Sequence, residues 1–350
     1  MKTVMSVTGE LSREDLGVTT THEHIFLDLS GFYTERPVPG CPSPGTEKVK
    51  MEYLGILSRD PYAIKDNLFL LDYEIQKKEI TYFRNAGGRT VVDASLPGIG
   101  RDPEGLKRIA EETGLNVIWG TGSYVGDTHP AYLKTMTDRQ VADLMVKDLT
   151  KGVDGTGIRA GYIGEIGISE KFDDRERAVL RAAALAQQDT GVAINVHINP
   201  WTTNGLEASD ILLGSGVDPS RICISHVDVE DREDYIYALL KKGVFVEFDN
   251  FGKEYYVRRE VRNTGYGLFV RDTERVTLLK KLIDDGFGKQ ILLSCDVCLK
   301  NLLHTYGGWG YDHILTNVVP MMEDEGITRE QIHTMLCRNP ADFLIGEEKQ

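Results

Sequence analysis

Short runs of aliphatic and β-branched residues alternate along the chain with longer stretches whose apolar residues recur at helical spacing. Glycines stand between a helical stretch and the next apolar run, where helices commonly end. Eight apolar runs predict strands, near Val18–Leu27, Thr90–Ala94, Val117–Thr121, Ala160–Glu165, Ala193–His197, Ile222–His226, Val244–Asp249 and Ile291–Asp296. The stretches between them predict helices, among them Leu106–Thr113, Arg175–Thr190, Asp231–Lys242 and Arg271–Asp285.

Regular alternation of strand and helix requires a parallel sheet, because each crossover helix covers a face of the sheet. Eight strands in one continuous chain favour a distorted (β/α)8 TIM barrel. An open doubly wound sheet is the alternative, but no Gly-x-Gly-x-x-Gly follows an early strand, which weakens it. Residues 1–20 predict a short β-hairpin extension before the barrel. No linker interrupts the sequence, so we expect a single domain over residues 1–350.

Two long polar segments follow predicted strands. Gly31–Asp60 carries four prolines and follows the first strand, and Arg258–Arg271 lies among tyrosines after the seventh. In a barrel, both segments are expected to lie over the face that carries the active site.

The composition narrows the class of partner. The 350 residues are 41% hydrophobic and 27% charged, with a formal net charge of −14. This charge argues against nucleic-acid or anionic-membrane partners, which need a basic face, and leaves a small-molecule substrate. No apolar run approaches 18 residues and the first residues lack a secretory signal. Five sparse cysteines fit reduced thiols, so we expect a cytoplasmic protein.

Polar residues with metal-binding chemistry end the predicted strands. The first strand closes on Thr21-His22-Glu23-His24, and because strand side chains alternate, both imidazoles lie on one face. Later strands end at Glu165, His197, His226 and Asp296. The intervals from Glu165 to His226 each match about one strand–helix unit. The interval from His226 to Asp296 leaves room for two units.

Four imidazoles and two carboxylates at one barrel mouth form a suitable ligand shell for two divalent cations. One carboxylate would bridge the cations and a hydroxide could be shared between them, which lowers the pKa of bound water and polarises the scissile bond. A carboxylate beside the hydroxide can carry a proton, and we assign that catalytic role to Asp296 rather than a helix N-cap role. Imidazole-rich ligands favour Zn²⁺, with Mn²⁺ or Co²⁺ as substitutes.

Three motifs carry a resemblance that spans nearly the whole chain: residues 17–24, the Gly-Glu-Ile-Gly at 164–167, and Tyr-Gly-Gly-Trp-Gly-Tyr-Asp-His at 306–313. They resemble the phosphotriesterase family of the amidohydrolase superfamily, and Asn339-Pro340 resembles its phosphotriesterase-related branch. The resemblance implies one more buried metal, one more exposed metal, a bridging residue and a homodimer. The implied ligands are His22, His24 and Asp296 for the buried metal, His197 and His226 for the exposed metal, and Glu165 as the bridge.

The bridge departs from the founding enzymes of the family, which use a carboxylated lysine where this chain has Glu165. Glutamate also presents a bridging carboxylate and needs no carbon dioxide. Its shorter reach must alter the metal spacing or the strand, which counts against efficient phosphotriester hydrolysis rather than against metal binding.

Tyr124, Asp228 and a group of arginines are expected to bind substrate. The resemblance implies that the Tyr124 hydroxyl lies near the metals, with ordinary packing as the alternative. Asp228 is expected to orient a neighbour or touch the leaving group. Arg258 and Arg262, together with Arg259, could pair with an anionic substrate tail, and the alternative is a solvated basic loop.

These observations predict a binuclear metal-dependent hydrolase of ester-type bonds, in carboxylate esters, lactones, organophosphates or phosphonates. The alternatives are an amidohydrolase that deacylates N-acyl amino acids and a barrel that binds a ligand without cleaving it. A redox role for Cys295-x-x-Cys298 is a weaker alternative.

Overall fold

The computed structural model describes residues 3–256 and 267–347. Eight parallel strands form one sheet in which each strand pairs with its neighbours in chain order, and the helices surround it, which confirms the (β/α)8 barrel. The barrel strands are β3 (Thr19–Glu23), β6 (Thr90–Asp93), β7 (Asn116–Thr121), β8 (Tyr162–Ile168), β9 (Ile194–Ile198), β10 (Ile222–Ile224), β11 (Phe245–Phe248) and β12 (Ile291–Leu293). The strands outside the barrel are β1 (Val4–Ser6), β2 (Gly9–Leu11), β4 (Leu27–Asp28) and β5 (Phe69–Leu70).

The helices of the described residues cover the outside of the barrel and its ends. They are α1 (Arg13–Leu16), α2 (Leu54–Leu57), α3 (Tyr73–Asn85), α4 (Pro103–Thr113), α5 (Asp138–Thr150), α6 (Asp174–Thr190), α7 (Asn204–Gly214), α8 (Glu233–Leu240), α9 (Asp272–Asp284), α10 (Val319–Asp324), α11 (Arg329–His333) and α12 (Asn339–Ile345). Two π-helical turns, Ile314–Val318 and Thr334–Arg338, precede α10 and α12. In the described part of the chain, no helix is long and apolar enough to cross a membrane.

The barrel closes along a seam between β12 and β3 in which side chains replace most of the strand ladder. The Asp296 amide donates to the His22 carbonyl oxygen over 3.1 Å, and the His22 amide donates to Ser294 Oγ over 3.0 Å. The buried Glu23 carboxylate accepts from the amides of Cys295 and Val297, each at 2.9 Å. Closure of the barrel therefore depends on residues at the carboxyl ends of these two strands.

The N-terminal hairpin is present, because β1 and β2 pair antiparallel. The first barrel strand is shorter than the sequence predicts: it ends at Glu23 rather than near Leu27. The Asp93 side chain accepts a 2.7 Å hydrogen bond from the Ile25 amide, which turns the chain away from the sheet. Leu27 then pairs antiparallel with Leu70 outside the barrel. The predicted loop Gly31–Asp60 includes α2, and its buried Cys41, Val49, Tyr53 and Leu57 belong to a small core of their own.

We expect Gly120→Ala to destabilise the barrel, because a Cβ at this position in β7 would lie 1.7 Å from the Gly164 carbonyl oxygen. Relieving this overlap must displace β7 from β8, so the free energy of unfolding should fall by about 1–3 kcal/mol or more. The measurement is the denaturant dependence of the far-ultraviolet circular dichroism.

The matched control is Gly214→Ala at the end of α7, where a Cβ would meet no atom within 4 Å. This change should leave the unfolding midpoint unchanged or raise it slightly. Equal midpoints for the two variants would contradict the steric account of Gly120.

Candidate active site

The six predicted metal ligands meet at the carboxyl ends of the barrel strands. His22, Glu165 and His197 lie in β3, β8 and β9. His24, His226 and Asp296 follow the ends of β3, β10 and β12. Five of the six are buried residues and His197 is partly buried. His226 and Asp296 have φ values of 58° and 46°, in the left-handed region that non-glycine residues rarely adopt, so the backbone is strained where it presents them.

The Glu165 carboxylate lies at the centre of this group. Its Oε2 atom is 3.3 Å from His22 Nε2, 3.0 Å from His197 Nδ1 and 3.8 Å from His226 Nε2. Its Oε1 atom is 3.4 Å from His24 Nε2. The two oxygens therefore face different imidazoles, which is the arrangement that a bridging carboxylate needs.

The donor atoms fit divalent cations. His22 Nε2 is fully buried and makes no hydrogen bond, so a cation would satisfy it. Ligand bonds of about 2.0–2.2 Å place the donors around one ion roughly 3 to 4 Å apart. His24 Nε2 lies 3.3 Å from Asp296 Oδ1, and His226 Nε2 lies 2.8 Å from His197 Nδ1.

Two combinations of these residues have ligand atoms close enough to hold an ion: His22, His24 and Asp296, and His22, Glu165 and His226. The first combination matches the set assigned to the more buried metal. The second combination contains Glu165 and His226 but also His22, and it lacks His197, so it differs from the set assigned to the exposed metal. The residues present therefore suit divalent-cation binding around Glu165.

The second ring nitrogen of three histidines is held by a residue further from the cavity. Glu247 Oε2 is 3.2 Å from His22 Nδ1, Ser95 Oγ is 3.0 Å from His24 Nδ1, and Asp249 Oδ1 is 2.9 Å from His226 Nδ1. Such partners fix the ring orientation and raise the basicity of the ligand nitrogen. Neither Glu247 nor Asp249 was predicted from the sequence. Their signal is one carboxylate within the otherwise apolar β11 and one directly after it, where a buried charge needs a partner.

A buried lysine was also missed. Lys253 follows β11, and its Nζ atom pairs with Asp296 Oδ2 and lies 3.4 Å from Asn250 Oδ1. The Cys298 thiol lies 3.8 Å from the same Asp296 oxygen, and both Cys295 and Cys298 are free thiols. Asp296 therefore faces His24 with one oxygen and Lys253 with the other.

The charges of the site compensate one another. Burial disfavours the Asp296 carboxylate, but Lys253 and His24 hold the pKa of this carboxyl well below its ordinary value. Burial likewise opposes the charge on His24, but Asp296 and Glu165 raise its pKa to about 9. These two carboxylates thus favour a proton on His24, and a cation that binds there must displace it.

Asp228 lies behind the cavity rather than in its wall. Its carboxylate is 3.1 Å from Arg275 Nε and accepts a 2.8 Å hydrogen bond from Asn250 Nδ2. Arg275 in turn donates to Asp272 over 2.7 Å, and Asp272 lies 2.7 Å from His313 Nε2. The structure does not place Asp228 in the cavity wall; Asp228 belongs to a buried network beside the loop after β11, which is compatible with the expectation that it orients a neighbour.

A cavity of about 540 Å³ opens above the metal ligands. Tyr124 lies in its wall, and the Tyr124 hydroxyl is 3.3 Å from His197 Nε2. Aromatic side chains including Phe32, Trp201 and Phe269 form much of the remaining wall. The predicted anion-binding residues Arg258, Arg259 and Arg262 lie outside the described residues.

Residues 2–344 match the model of the phosphotriesterase family. The N-acetyltaurine hydrolases of Xenopus tropicalis and Homo sapiens are 36% and 34% identical to this chain, and each match covers 97% of both sequences. The fold matches a resiniferatoxin-binding protein from Rhodobacter sphaeroides with a TM-score of 0.94 and 31% identity, over 98% of this chain and 95% of the other. A phosphotriesterase homology protein from Escherichia coli, complexed with phosphate in its active site, matches with a TM-score of 0.77 and 30% identity. This match covers 94% of this chain and 99% of the other.

We expect Glu247→Gln and Asp249→Asn each to weaken a different metal position. Loss of the Glu247 carboxylate should lower the affinity of the cation held by His22. Loss of the Asp249 carboxylate should lower that of the cation held by His226. Each affinity should fall by about 10- to 100-fold. The measurement is metal content per chain after dialysis against buffers of graded free metal concentration.

Glu79→Gln is the control, since the Glu79 carboxylate is also buried but accepts from the backbone of His304 and Thr305. It should retain the metal content of the wild type. Simultaneous loss of both cations in the Glu247 and Asp249 variants alike would contradict the separate assignments.

Proposed function

The chain belongs to the phosphotriesterase family, and from this premise we propose that it is a metal-dependent hydrolase of N-acylated amino acids or aminosulfonates. The observation that carries the proposal is the Glu165 carboxylate, whose two oxygens face separate imidazole groups, as two cooperating cations require. The full-length relatives named N-acetyltaurine hydrolase support the amide bond. This ranking places the amide bond ahead of the ester bonds that the sequence alone favoured.

The ligand set favours Zn²⁺, since four of its six members are imidazoles, and Mn²⁺ or Co²⁺ also suit it. His22, His24 and Asp296 would hold one cation and His197 and His226 the other, with Glu165 shared. Bound there, the cations would activate water and polarise the acyl carbonyl group.

We assign to Asp296 the transfer of the proton that amide cleavage requires. Water adds to the acyl carbon, the bond from that carbon to nitrogen breaks, and the products are a carboxylate and an amine. An amide nitrogen leaves only when it is protonated, so a group must carry a proton from the attacking water to the nitrogen. The Asp296 carboxylate lines the cavity beside His24, and its low pKa keeps it ionised.

Metal-loaded protein should release one amine per carboxylate from N-acetyltaurine or N-acetyl amino acids. A panel that also holds lactones, carboxylate esters, phosphonate esters and phosphate esters decides the bond class. The measurements are amine release and proton release. The His22→Ala/His24→Ala double variant, which lacks two ligands, should be inactive on the whole panel.

Turnover confined to esters would refute the amide proposal and favour the ester bonds predicted from the sequence. Silence across the panel, from protein shown to hold two cations, would favour a binding protein without turnover.

Asp296→Asn should lower kcat by about 10²- to 10⁴-fold, because the amide side chain cannot carry the proton. Single-turnover kinetics on the best substrate measure the effect, and the metal content of the same sample separates it from loss of a ligand. A loss below tenfold in a variant that keeps both cations would remove Asp296 from the proton path.

A further inference from the structure

Lys253 is a buried cation that contacts Asp296, and the proposed reaction assigns it no role. Its side chain is 5% exposed, yet it lines the cavity. The ammonium group has three N–H donors, and the described residues give it two partners, Asp296 Oδ2 and Asn250 Oδ1. Among residues 3–256 and 267–347, nothing accepts from the third donor, which leaves it for a ligand in the cavity.

The segment that carries Lys253 is held rigidly from behind. The Lys253 carbonyl oxygen accepts a 3.2 Å hydrogen bond from Arg275, whose side chain is fully buried. The amide of the preceding Gly252 donates to both oxygens of Asp272 at 3.1 Å. A cation fixed in this way loses little conformational freedom when it binds an anion, which favours tight and selective binding.

The other described cations that line the cavity are less suited to select an anion. Arg175 and Lys171 are both solvent-exposed, whereas the Lys253 side chain is buried. Charges in water attract weakly, whereas a charge with little solvent around it attracts an opposite charge much more strongly.

The position of Lys253 relative to Asp296 sets how far from the scissile nitrogen an anionic group of the substrate would be recognised. One Asp296 oxygen faces His24 and the metal ligands, and the other faces Lys253. A leaving nitrogen that receives its proton from Asp296 therefore lies close to the ammonium group. An anionic group separated from that nitrogen by one or two carbons can reach Lys253 while the acyl carbonyl stays over the metal ligands.

We propose that Lys253 is a specificity-determining residue that binds a carboxylate or sulfonate one or two carbons from the scissile nitrogen. This inference rests on the proposed function for its bond type, but the recognition of the anion does not depend on whether an amide or an ester is cleaved. The substrate class is accordingly short N-acyl amino acids and aminosulfonates rather than neutral amides.

The test compares substrates that differ only in charge. N-acetyl-β-alanine and its carboxamide form one pair, and acetoxyacetate and its carboxamide form the ester pair. The quantity measured is the carboxylate-to-carboxamide ratio of kcat/KM, in the wild type, Lys253→Met and Lys253→Arg. Removal of the ammonium also loosens Asp296, so turnover falls on both members of a pair. The ratio isolates the recognition of the anion.

We expect the wild type to prefer the carboxylate, and Lys253→Met to reduce this ratio at least tenfold, chiefly through KM for the carboxylate. Lys253→Arg should recover part of the ratio, because it restores the charge. Two controls should leave the ratio within threefold: Lys171→Met, the same change at the exposed rim, and Cys298→Ala, which alters a neighbour of the same Asp296 oxygen.

Equal losses of kcat/KM on both members of a pair would leave the ratio unchanged. This result would overturn the proposal and leave Lys253 as a positioning residue for Asp296. A wild type without preference for the carboxylate would also overturn it. If the protein cleaves only the ester pair, the proposed amide activity fails while the ratio still tests Lys253.

If neither pair is cleaved, calorimetric binding of each pair to metal-loaded protein replaces the kinetic ratio. The same tenfold criterion then applies to the dissociation constants. Metal content and thermal melting of Lys253→Met establish that the variant is folded.

Discussion

The sharing of one buried carboxylate among four imidazoles is the constraint around which this molecule is built. Glu165 can keep its charge inside the barrel only because His22, His24, His197 and His226 surround it. The chain beside it is correspondingly crowded: a Cβ at Gly164 would lie 2.7 Å from the Asn195 carbonyl oxygen, and one at Gly167 would lie 2.2 Å from the Tyr124 carbonyl carbon. The glycines on either side of Glu165 are therefore required by the packing of the site.

Much of this arrangement could be predicted from the sequence, because two simple regularities fix it. Parallel strands in a barrel end at one face, so polar residues that end successive apolar runs must meet there. The six predicted ligands follow from this rule. Glu247 escaped it because it lies within β11 rather than at the end. Asp249 does end the seventh predicted strand, but the sequence does not reveal which buried carboxylate faces a histidine. Lys253 escaped because its role depends on Asp296, 43 residues later, and such a pairing is invisible without coordinates. The end of the first strand was misplaced because a single Asp93 side chain, rather than hydrophobicity, turns the chain.

The choice between amide and ester substrates does not reside in the metal ligands, since activation of water and polarisation of a carbonyl serve both bonds. The two bonds differ in the leaving group: an alkoxide can depart unaided more readily than an amide nitrogen, which needs a proton. In the proposed reaction, the paired Asp296 and Lys253 act on the leaving group. The aromatic residues of the cavity wall, among them Tyr124 and Trp201, limit the shape of substrate that fits. Relatives that share the same metal centre can therefore differ in substrate through residues of these two kinds rather than through the metal ligands.

The seam between the first and last barrel strands has a consequence for how the protein is made. His22 and Ser294 are 272 residues apart, and their hydrogen bond closes the barrel at the place where His24 and Asp296 come together. A chain still emerging from the ribosome offers the histidines of its first strand long before it supplies Asp296. The more buried ligand set is therefore complete only when nearly the whole chain has been synthesised and the ring of strands has closed. All three residues of this set could therefore hold a cation together only after the first and last barrel strands have met.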